Sequence, residues 1–315
     1  MKNKFMKTKE ISIFIALAIL CLIMSVSTST FMTPYNIGII ARQISFIAIV
    51  AIGQTTVLLT GGIDLSVGST AGLSGILCSL LMTNVHVGPI SIIFVSLVLG
   101  ILLGCVNGIL IGRLKLNAFI VTLAMGEIYG GLILVITRGY PILNLPESFA
   151  FLGQGMIGLV PVPVIFMLVI TIVIAYLLEN TPFGRNIYAV GGNSIAAKLA
   201  GIKVENVTLY VYMLSGMFAS LSGLLLTSRM NAGQPTIGAS WVMPSITAAI
   251  IGGTSLSGGE GTIIGTIIGA AFMGVLANGI VLLNISSYWE RVITGAVVII
   301  AVVIDLIRKI RSQKE

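Results

Sequence analysis

The sequence predicts an all-α integral membrane protein. Of its 315 residues, 57% are apolar and only 9% are charged, and the mean hydropathy is +1.10. Because a soluble domain carries about 25% charged residues, a water-soluble protein is excluded. About ten apolar runs, most of them near the roughly 20 residues that cross a bilayer, fill the chain. We therefore expect residues 1–315 to form a single transmembrane domain in the cell membrane, with both termini cytoplasmic.

The first apolar run follows a basic N-terminus and extends from Ile11 to about Phe31. A cleaved signal peptide has an apolar region of about 7–15 residues, so this longer run is predicted to be a retained helix. Further runs follow at about 37–60, 67–82, 89–111, 118–137, 156–178, 207–228, 241–252, 262–283 and 292–307. Those at 67–82 and 241–252 are short for a bilayer of about 30 Å, and they are candidates for broken or re-entrant segments.

The distribution of basic residues supports ten crossings and cytoplasmic termini. With that topology thirteen Lys and Arg residues fall inside, three fall outside and Arg42 lies within a helix, which accounts for all 17. Such an inside excess is typical of multi-pass membrane proteins. Since the basic residues collect at the chain ends and in short connections and form no basic face on a folded domain, we expect no nucleic-acid partner.

Two glycine repeats predict close helix packing. Gly100, Gly104, Gly108 and Gly112 recur every four residues, and Gly261, Gly265 and Gly269 repeat the pattern later. Four-residue spacing puts the glycines on one face of a helix, where a second backbone approaches closely.

The most informative motif is GGIDLSVGS at 61–69, which has a second copy, GGTSLSGGE, at 252–260. Both copies share the frame GG-x-x-LS-x-G and lie between apolar runs, which predicts an internal duplication with helices broken at matching places. Broken helices at matching places often mark the substrate path of a transporter. An Asp at membrane depth must be capped, paired or exposed to water, so Asp64 and Ser66 are candidates for that path. The alternative is that both residues cap a helix start, and the two interpretations are compatible.

Further polar residues interrupt the apolar runs. Gln54, Asn107 and Asn278 either join helices by hydrogen bonds or line the path, and joining helices is the more common role. Glu127 lies in the middle of a run, which suggests a proton relay or a carboxyl paired with a neighbouring helix. The candidate path residues are Asp64, Ser66, Asn107 and Asn278.

The connection at 179–206 is the longest internal polar stretch. Ser194 is a suitable N-cap and Gly201 a suitable C-cap for a short helix with Ile195 and Leu199 on one face. An apolar ridge at the cytoplasmic surface indicates docking into a partner's groove, and a linker helix lying on the bilayer is the alternative. The candidate docking residues are Ser194, Ile195, Ala196, Lys198, Leu199 and Gly201.

The sequence offers no basis for enzymatic chemistry. It has one His, His86, and three Cys, all three within apolar runs, so neither a nucleophile with its base nor a metal cluster is expected. The stretch at 256–260, LSGGE, resembles the LSGGQ signature of ABC ATPases, but the chain contains no Gly-Lys-Ser or Gly-Lys-Thr. We therefore expect no cofactor, metal or ATP bound by this chain.

As a set, these motifs resemble the membrane permease subunits of ribose-type ABC importers. The resemblance covers nearly the whole chain and runs through GGIDLSVGS (61–69), PFGRNIYAVGGN (182–193), AAKLAGI (196–202), QPTIG (234–238), IIGGTSLSGGEGTIIGTIIGA (250–270) and SSYW (286–289).

The resemblance implies ten membrane helices per subunit, a pair of permease copies, a cytoplasmic ATPase that binds ATP and magnesium, and an extracytoplasmic sugar-binding protein. It also implies alternating access, with residues 182–202 supplying the coupling helix to the ATPase. Related permeases often carry Glu-Ala-Ala where this chain has Ser194-Ile195-Ala196. The missing acid removes one potential salt bridge to the ATPase.

The predicted substrate is a monosaccharide, with a pentose such as ribose first. The sequence pattern does not separate ribose from xylose or galactose, since no pocket is readable from it. It also leaves open whether the second permease copy is identical or only similar. The alternative function is a proton-coupled secondary sugar transporter that uses Glu127 or Asp64 as the proton carrier, and uptake would then collapse with an ionophore.

Overall fold

The computed structural model describes residues 2–286 and 288–312, and most of the described chain is helical. The first seven helices are α1 (Lys2–Ser27), α2 (Pro34–Leu59), α3 (Val67–Asn84), α4 (Pro89–Gly108), α5 (Ala118–Thr137), α6 (Ala150–Gln154) and α7 (Val162–Asn180). The remaining six are α8 (Pro182–Gly192), α9 (Ser194–Leu199), α10 (Val204–Met230), α11 (Val242–Ile251), α12 (Ile263–Leu282) and α13 (Tyr288–Ser312). The side chains of the basic residues near both termini lie outside the described part.

Eight of the described helices are long and apolar enough to cross a membrane, which confirms the predicted class. They are α1 from Glu10 onward, α2, α3, α4 with the π-helical turn Ile109–Arg113, α5, α7, α10 and α12. The predicted run at 67–82 forms the 18-residue helix α3, which is therefore long enough to cross a membrane. By contrast, α11 has 10 residues and spans about 15 Å, half of a bilayer core. The last helix, α13, has 25 residues.

Helix starts follow from local sequence. Proline occupies the first turn of α2, α4, α7 and α8, where its missing N–H costs nothing. Side chains of Thr33, Asn117 and Thr262 cap α2, α5 and α12 by accepting hydrogen bonds from backbone N–H groups of the first turn.

The predicted apolar run at 156–178 is not one helix. Its first six residues form a hairpin in which β1 (Met156–Ile157) pairs antiparallel with β2 (Val160–Pro161), and α7 begins only at Val162. Gly158 sits at φ +62° in the turn, a conformation that ends helices, and Pro161 adds a second break. A 3-10 turn, Glu147–Phe149, and α6 precede the hairpin.

Helix α10 lies at the centre of the bundle and packs against α2, α3 and α4. Gly100, Gly104 and Gly108 of α4 face the backbone of α10 with no room for a Cβ, and Gly112 faces it one turn later. This confirms the predicted stripe, since only glycine permits such an approach. On the later stripe, Gly265 and Gly269 of α12 lie in the same way against α11. Gly261, predicted as part of this stripe, precedes α12 and faces the Thr254 side chain, because the helix begins only at Ile263.

We expect Gly104→Ala to destabilise the folded chain by about 1–3 kcal/mol, because the added methyl group overlaps the Tyr212 backbone. Gly38→Ala in α2 is the matched control, since nothing lies within 4 Å of a Cβ at that position. Thermal unfolding of both variants in detergent, followed by size-exclusion chromatography, measures the difference. Equal melting temperatures would contradict the close α4–α10 packing.

Candidate functional site

The first GG loop, residues 60–66, joins α2 to α3 and is tied down by a buried carboxylate. One carboxylate oxygen of Asp64 accepts hydrogen bonds from the Ser66 N–H at 3.0 Å and the Ser66 hydroxyl at 2.7 Å. The other accepts from the hydroxyl of Ser215 on α10 at 2.8 Å. Asn107 on α4 donates from its side-chain nitrogen to the Ser66 hydroxyl at 2.8 Å. Three of the four predicted path residues therefore form one cluster.

The backbone of the same loop is also held by side chains. The carbonyl oxygen of Ile63 accepts from the Tyr212 hydroxyl at 3.0 Å and from the Thr122 hydroxyl at 3.4 Å. The Gln54 amide, oriented to pair with the Asp64 backbone, donates to its carbonyl at 3.1 Å and accepts from its N–H at 3.2 Å. These bonds satisfy groups that a break between two membrane helices would otherwise leave free.

The Asp64 cluster is a structural anchor. Asp64 and Ser66 are each 1% exposed, and both Asp64 oxygens carry hydrogen bonds. The alternative, that both residues cap a helix start, is only partly right. Ser66 occupies the N-cap position of α3, but its side chain accepts no hydrogen bond from the first turn of that helix. The Asn107 side-chain oxygen is buried and has no hydrogen-bond partner within the described part of the chain.

The second GG loop, residues 252–262, lies beside the first. Its Gly259 N–H donates to the carbonyl of Leu59 at 2.9 Å, and a Cβ on Gly258 would lie 2.8 Å from the Gly61 nitrogen. Gly258 and Gly259 have φ of +85° and +75°, which side-chain-bearing residues rarely adopt. The two copies of the repeat therefore touch through their glycines.

Helix α8 joins the two loops at the same point. Gly191 fits against the Leu59 carbonyl, and a Cβ there would lie 2.6 Å from the Gly259 nitrogen. The Tyr188 hydroxyl donates to the carbonyl of Gly261 at 2.9 Å. We name the close contact of Gly61, Gly191, Gly258 and Gly259 the glycine junction. Burial raises the pKa of Tyr188 to about 12, and the Glu179 carboxylate adds to the rise, so the phenol remains a donor.

The short predicted docking helix is present as α9, with two corrections at its ends. Asn193 is the N-cap, because its side chain accepts from the Ile195 and Ala196 N–H groups at 3.1 and 3.0 Å, and Ser194 is the first helical residue. The C-cap is Ala200, and Gly201 follows it with φ +84°. A glycine in this left-handed conformation, one residue after the C-cap, commonly terminates a helix.

The apolar ridge of α9 is exposed. Ile195 is 74% exposed and Leu199 is 86% exposed, although both are large aliphatic side chains. Ala197, on the opposite side, is buried. Lys198 lies 3.9 Å from Glu205 at the start of α10, and their side chains are 64% and 36% exposed. A pair so exposed adds little to stability, so Lys198 is free to contact a partner.

Comparison with known proteins identifies the family. The chain matches the model of branched-chain amino acid transport system permease components over residues 36–302. The chain belongs to this permease family. It is 42% identical to the ribose import permease protein of Bacillus subtilis (strain 168) and 41% identical to that of Haemophilus influenzae, in each case over 93% of this chain and 91% of the relative. It is 37% identical to the D-allose transport system permease protein of Escherichia coli (strain K12), over 93% of this chain and 90% of the relative. No solved structure matches the chain.

Asn278 of this permease lies away from the Asp64 cluster. Its amide and that of Asn36 exchange two hydrogen bonds, at 2.9 and 3.1 Å, and tie α12 to the start of α2. Both residues are buried. The geometry gives Asn278 a helix-joining contact, which sequence reasoning had named as the more common role of such residues.

The segment that precedes α7 packs onto the end of α10. The Ser228 hydroxyl donates to the carbonyl of Phe149 and accepts from the Gly153 N–H. Arg42, the one basic residue predicted within a helix, donates to the carbonyl of Gln154 at 3.0 Å. The Gln154 side chain donates in turn to the carbonyl of Arg229 at 2.9 Å.

Sequence reasoning missed Ser215 and Tyr212, which complete the anchor. They lie 151 and 149 positions beyond their partners Asp64 and Ile63, so no local spacing links them. The available signal was the run of small and polar residues in α10, 215–223, whose residues Ser215, Gly216, Ser220, Ser222 and Gly223 are all buried. Among the described residues, no three His, Cys, Asp or Glu side chains come together to hold a metal ion.

Asp64→Ala should destabilise the permease by about 1–3 kcal/mol, because it leaves buried donors of Ser66 and Ser215 unpaired. Asp64→Asn keeps the shape and an acceptor oxygen, and we expect it to retain most of the stability and transport. Melting temperature and substrate uptake in proteoliposomes measure both variants. If Asp64→Asn folds normally yet abolishes uptake, Asp64 is a proton carrier and its role as an anchor is wrong.

Proposed function

We propose that this permease is the membrane-spanning subunit of an ATP-driven importer of monosaccharides, with ribose as its substrate. The observation that carries the proposal is the identity of 41–42% with two ribose import permeases over nearly the full length of both chains. The 37% identity with an allose permease over similar coverage supports a sugar as the substrate class.

A cytoplasmic ATPase supplies the energy. The chain itself contains no Gly-Lys-Ser or Gly-Lys-Thr sequence to cradle a nucleotide, so ATP and magnesium bind in the partner. The partner's groove receives α9, where Ile195 and Leu199 present apolar surface that is costly to leave in water. Lys198 beside this ridge provides a charged contact at the rim of the interface.

The glycine junction transmits the movement of α9 to the membrane helices. Asn193 links α8 directly to α9, and α8 in turn touches both GG loops through Gly191 and Tyr188. Because packed backbones have low compressibility, a displacement of α8 moves the ends of α2 and α11 with it. The Asp64 cluster keeps the first loop attached to α10 during this motion.

Two permease copies, identical or similar, complete the importer with an extracytoplasmic sugar-binding protein. ATP binding draws the two α9 helices together, and hydrolysis releases them, so the copies open to one side and then to the other. The segment 147–161 is held on α10 by hydrogen bonds to Ser228 and Arg229 and on α2 by Arg42, and it is the proposed contact for the sugar-binding protein.

The decisive experiment is purification of the tagged permease from its native membrane, followed by identification of the copurifying chains and reconstitution in liposomes. We expect a Walker-motif ATPase and uptake of labelled ribose that requires ATP and the sugar-binding protein. Competition with unlabelled xylose, galactose and allose ranks the substrates. A permease that imports sugar alone and stops with an ionophore would contradict the proposal.

Leu199→Glu should reduce ribose uptake at least about tenfold, because a carboxylate in the apolar ridge opposes docking on the ATPase. Leu199→Met, which keeps the ridge apolar, is the control and should transport normally. Uptake and copurification of the ATPase are measured in the same preparation. Unchanged uptake by Leu199→Glu would refute the role of α9.

Gly191→Ala should uncouple the importer, because its methyl group overlaps the Leu59 carbonyl and pushes α8 away from both loops. Gly192→Ala is the matched control, since nothing lies within 4 Å of a Cβ there. We expect Gly191→Ala to hydrolyse more ATP per ribose imported, by about fivefold or more, and Gly192→Ala to match the wild type. An equal ratio of ATP hydrolysed to ribose imported in both variants would show that the glycine junction does not couple α8 to the two loops.

A further inference from the structure

One exposed face of α5 carries a carboxylate midway along this helix, which is long enough to cross a membrane. Helical spacing puts Ile120, Leu123, Ala124, Glu127 and Gly131 on this face, and all five residues are exposed. Glu127 lies nine residues after the first residue of α5 and ten before the last, about 13–15 Å from either end. Within the described part of the chain, Glu127 forms no hydrogen bond or ion pair.

Lipid is an unsuitable neighbour for this face. A carboxyl at mid-membrane is costly in hydrocarbon, and the Glu side chain is too short to reach the membrane surface from there. The exposed face of α4 shows the contrast, since Phe94, Val98 and Leu102 make it apolar throughout. Leu168 and Ile172 do the same on α7. Faces of this permease that suit lipid therefore differ in chemistry from the face around Glu127.

The opposite side of α5 rests on the first GG loop and the start of α3. A Cβ at Gly126 would lie 3.4 Å from the Leu65 carbonyl, and one at Gly130 would lie 3.6 Å from the Ser69 hydroxyl. Glu127 is thus at the depth of the Asp64 cluster, with α5 between them. The face around Glu127 is therefore one helix away from Leu65 and from Ser66, a predicted path residue.

We propose that this face of α5 borders a water-filled path shared with a second copy of the permease, and that Glu127 of each copy accepts hydrogen bonds from sugar hydroxyls in it. The proposal rests on the proposed function for the second copy of the permease and for the identity of the sugar. A two-fold interface sets the same face of both copies opposite each other. Two carboxylates at one interface disfavour each other's charged form, and water or substrate between them reduces this repulsion.

The surrounding residues suit a neutral polyol. A carboxylate offers two acceptor oxygens, which match the paired hydroxyl donors of a sugar. Gly131 has nothing within 4 Å of a Cβ position, and Ala124 is small, so both leave room beside the carboxylate. Ile120 and Leu123 offer apolar contact to the C–H groups of the sugar ring. The charge of Glu127 also repels sugar acids and sugar phosphates.

Thiol accessibility in the reconstituted complex tests the path. Cys21, Cys78 and Cys105 are first replaced by Ala, and single variants Glu127→Cys and Ala124→Cys are then compared with Val98→Cys. Val98 is the matched control because it is exposed and lies nine residues into α4. With a membrane-impermeant cationic methanethiosulfonate, we expect positions 127 and 124 to react about tenfold faster than position 98, since thiolates form only where water reaches.

Protection and transport complete the test. Ribose supplied with the sugar-binding protein and ATP should slow modification at position 127. Ribose uptake should fall in the order wild type, Glu127→Gln, Glu127→Leu, by about tenfold for Leu, because Gln keeps one acceptor oxygen and Leu keeps none.

Two results would overturn the proposal. Reaction at 127 and 124 as slow as at 98, in a complex that imports ribose, would place α5 against lipid or packed protein. Equal ribose uptake by the wild type, Glu127→Gln and Glu127→Leu would show that Glu127 does not contact the sugar. A complex that imports no ribose would instead refute the proposed function, while the rates at 127, 124 and 98 would still report whether α5 borders water.

Discussion

Hydrocarbon offers no hydrogen bonds, so each break in a membrane helix must satisfy its own backbone groups within the protein. In this permease the break between α2 and α3 meets that constraint with the carboxylate of Asp64 and the hydroxyls of Ser215 and Tyr212. Both hydroxyls belong to α10, which reaches the loop only because α4 and α10 pack backbone to backbone along the glycine stripe. The central helix α10 therefore also satisfies the break between α2 and α3.

The same constraint explains why the two GG loops touch. The N–H of Gly259 in the second loop donates to the carbonyl of Leu59, which the end of α2 leaves without a helical partner. Such a contact requires bare backbone on both sides, and glycine provides it. Because Gly191 of α8 enters the same point, α8 is in direct contact with both loops. One arrangement therefore satisfies the Leu59 carbonyl and joins α8 to both loops.

Particular elements show where sequence reasoning succeeded and where it stopped. The long spans and the glycine stripes were predicted because hydropathy and four-residue spacing are properties of neighbouring residues. The run at 156–178 was predicted as a single apolar segment, and the hairpin around Gly158 was missed since hydropathy carries no backbone conformation. Asn193 and Ser194 are both capping residues, and only the bend of the chain between α8 and α9 selects Asn193.

The sequence by itself determined that the chain is a helical membrane permease, that its two GG motifs separate helices, and that an apolar ridge at Ile195 and Leu199 follows a polar connection. These are local features, set by residues within a few positions of one another. Only the tertiary structure decided that Asp64 meets Ser215, that Asn278 meets Asn36 and that Glu127 faces outward. The partner of a polar side chain depends on how the whole bundle packs, because the interacting residues are separated by scores to hundreds of positions along the chain.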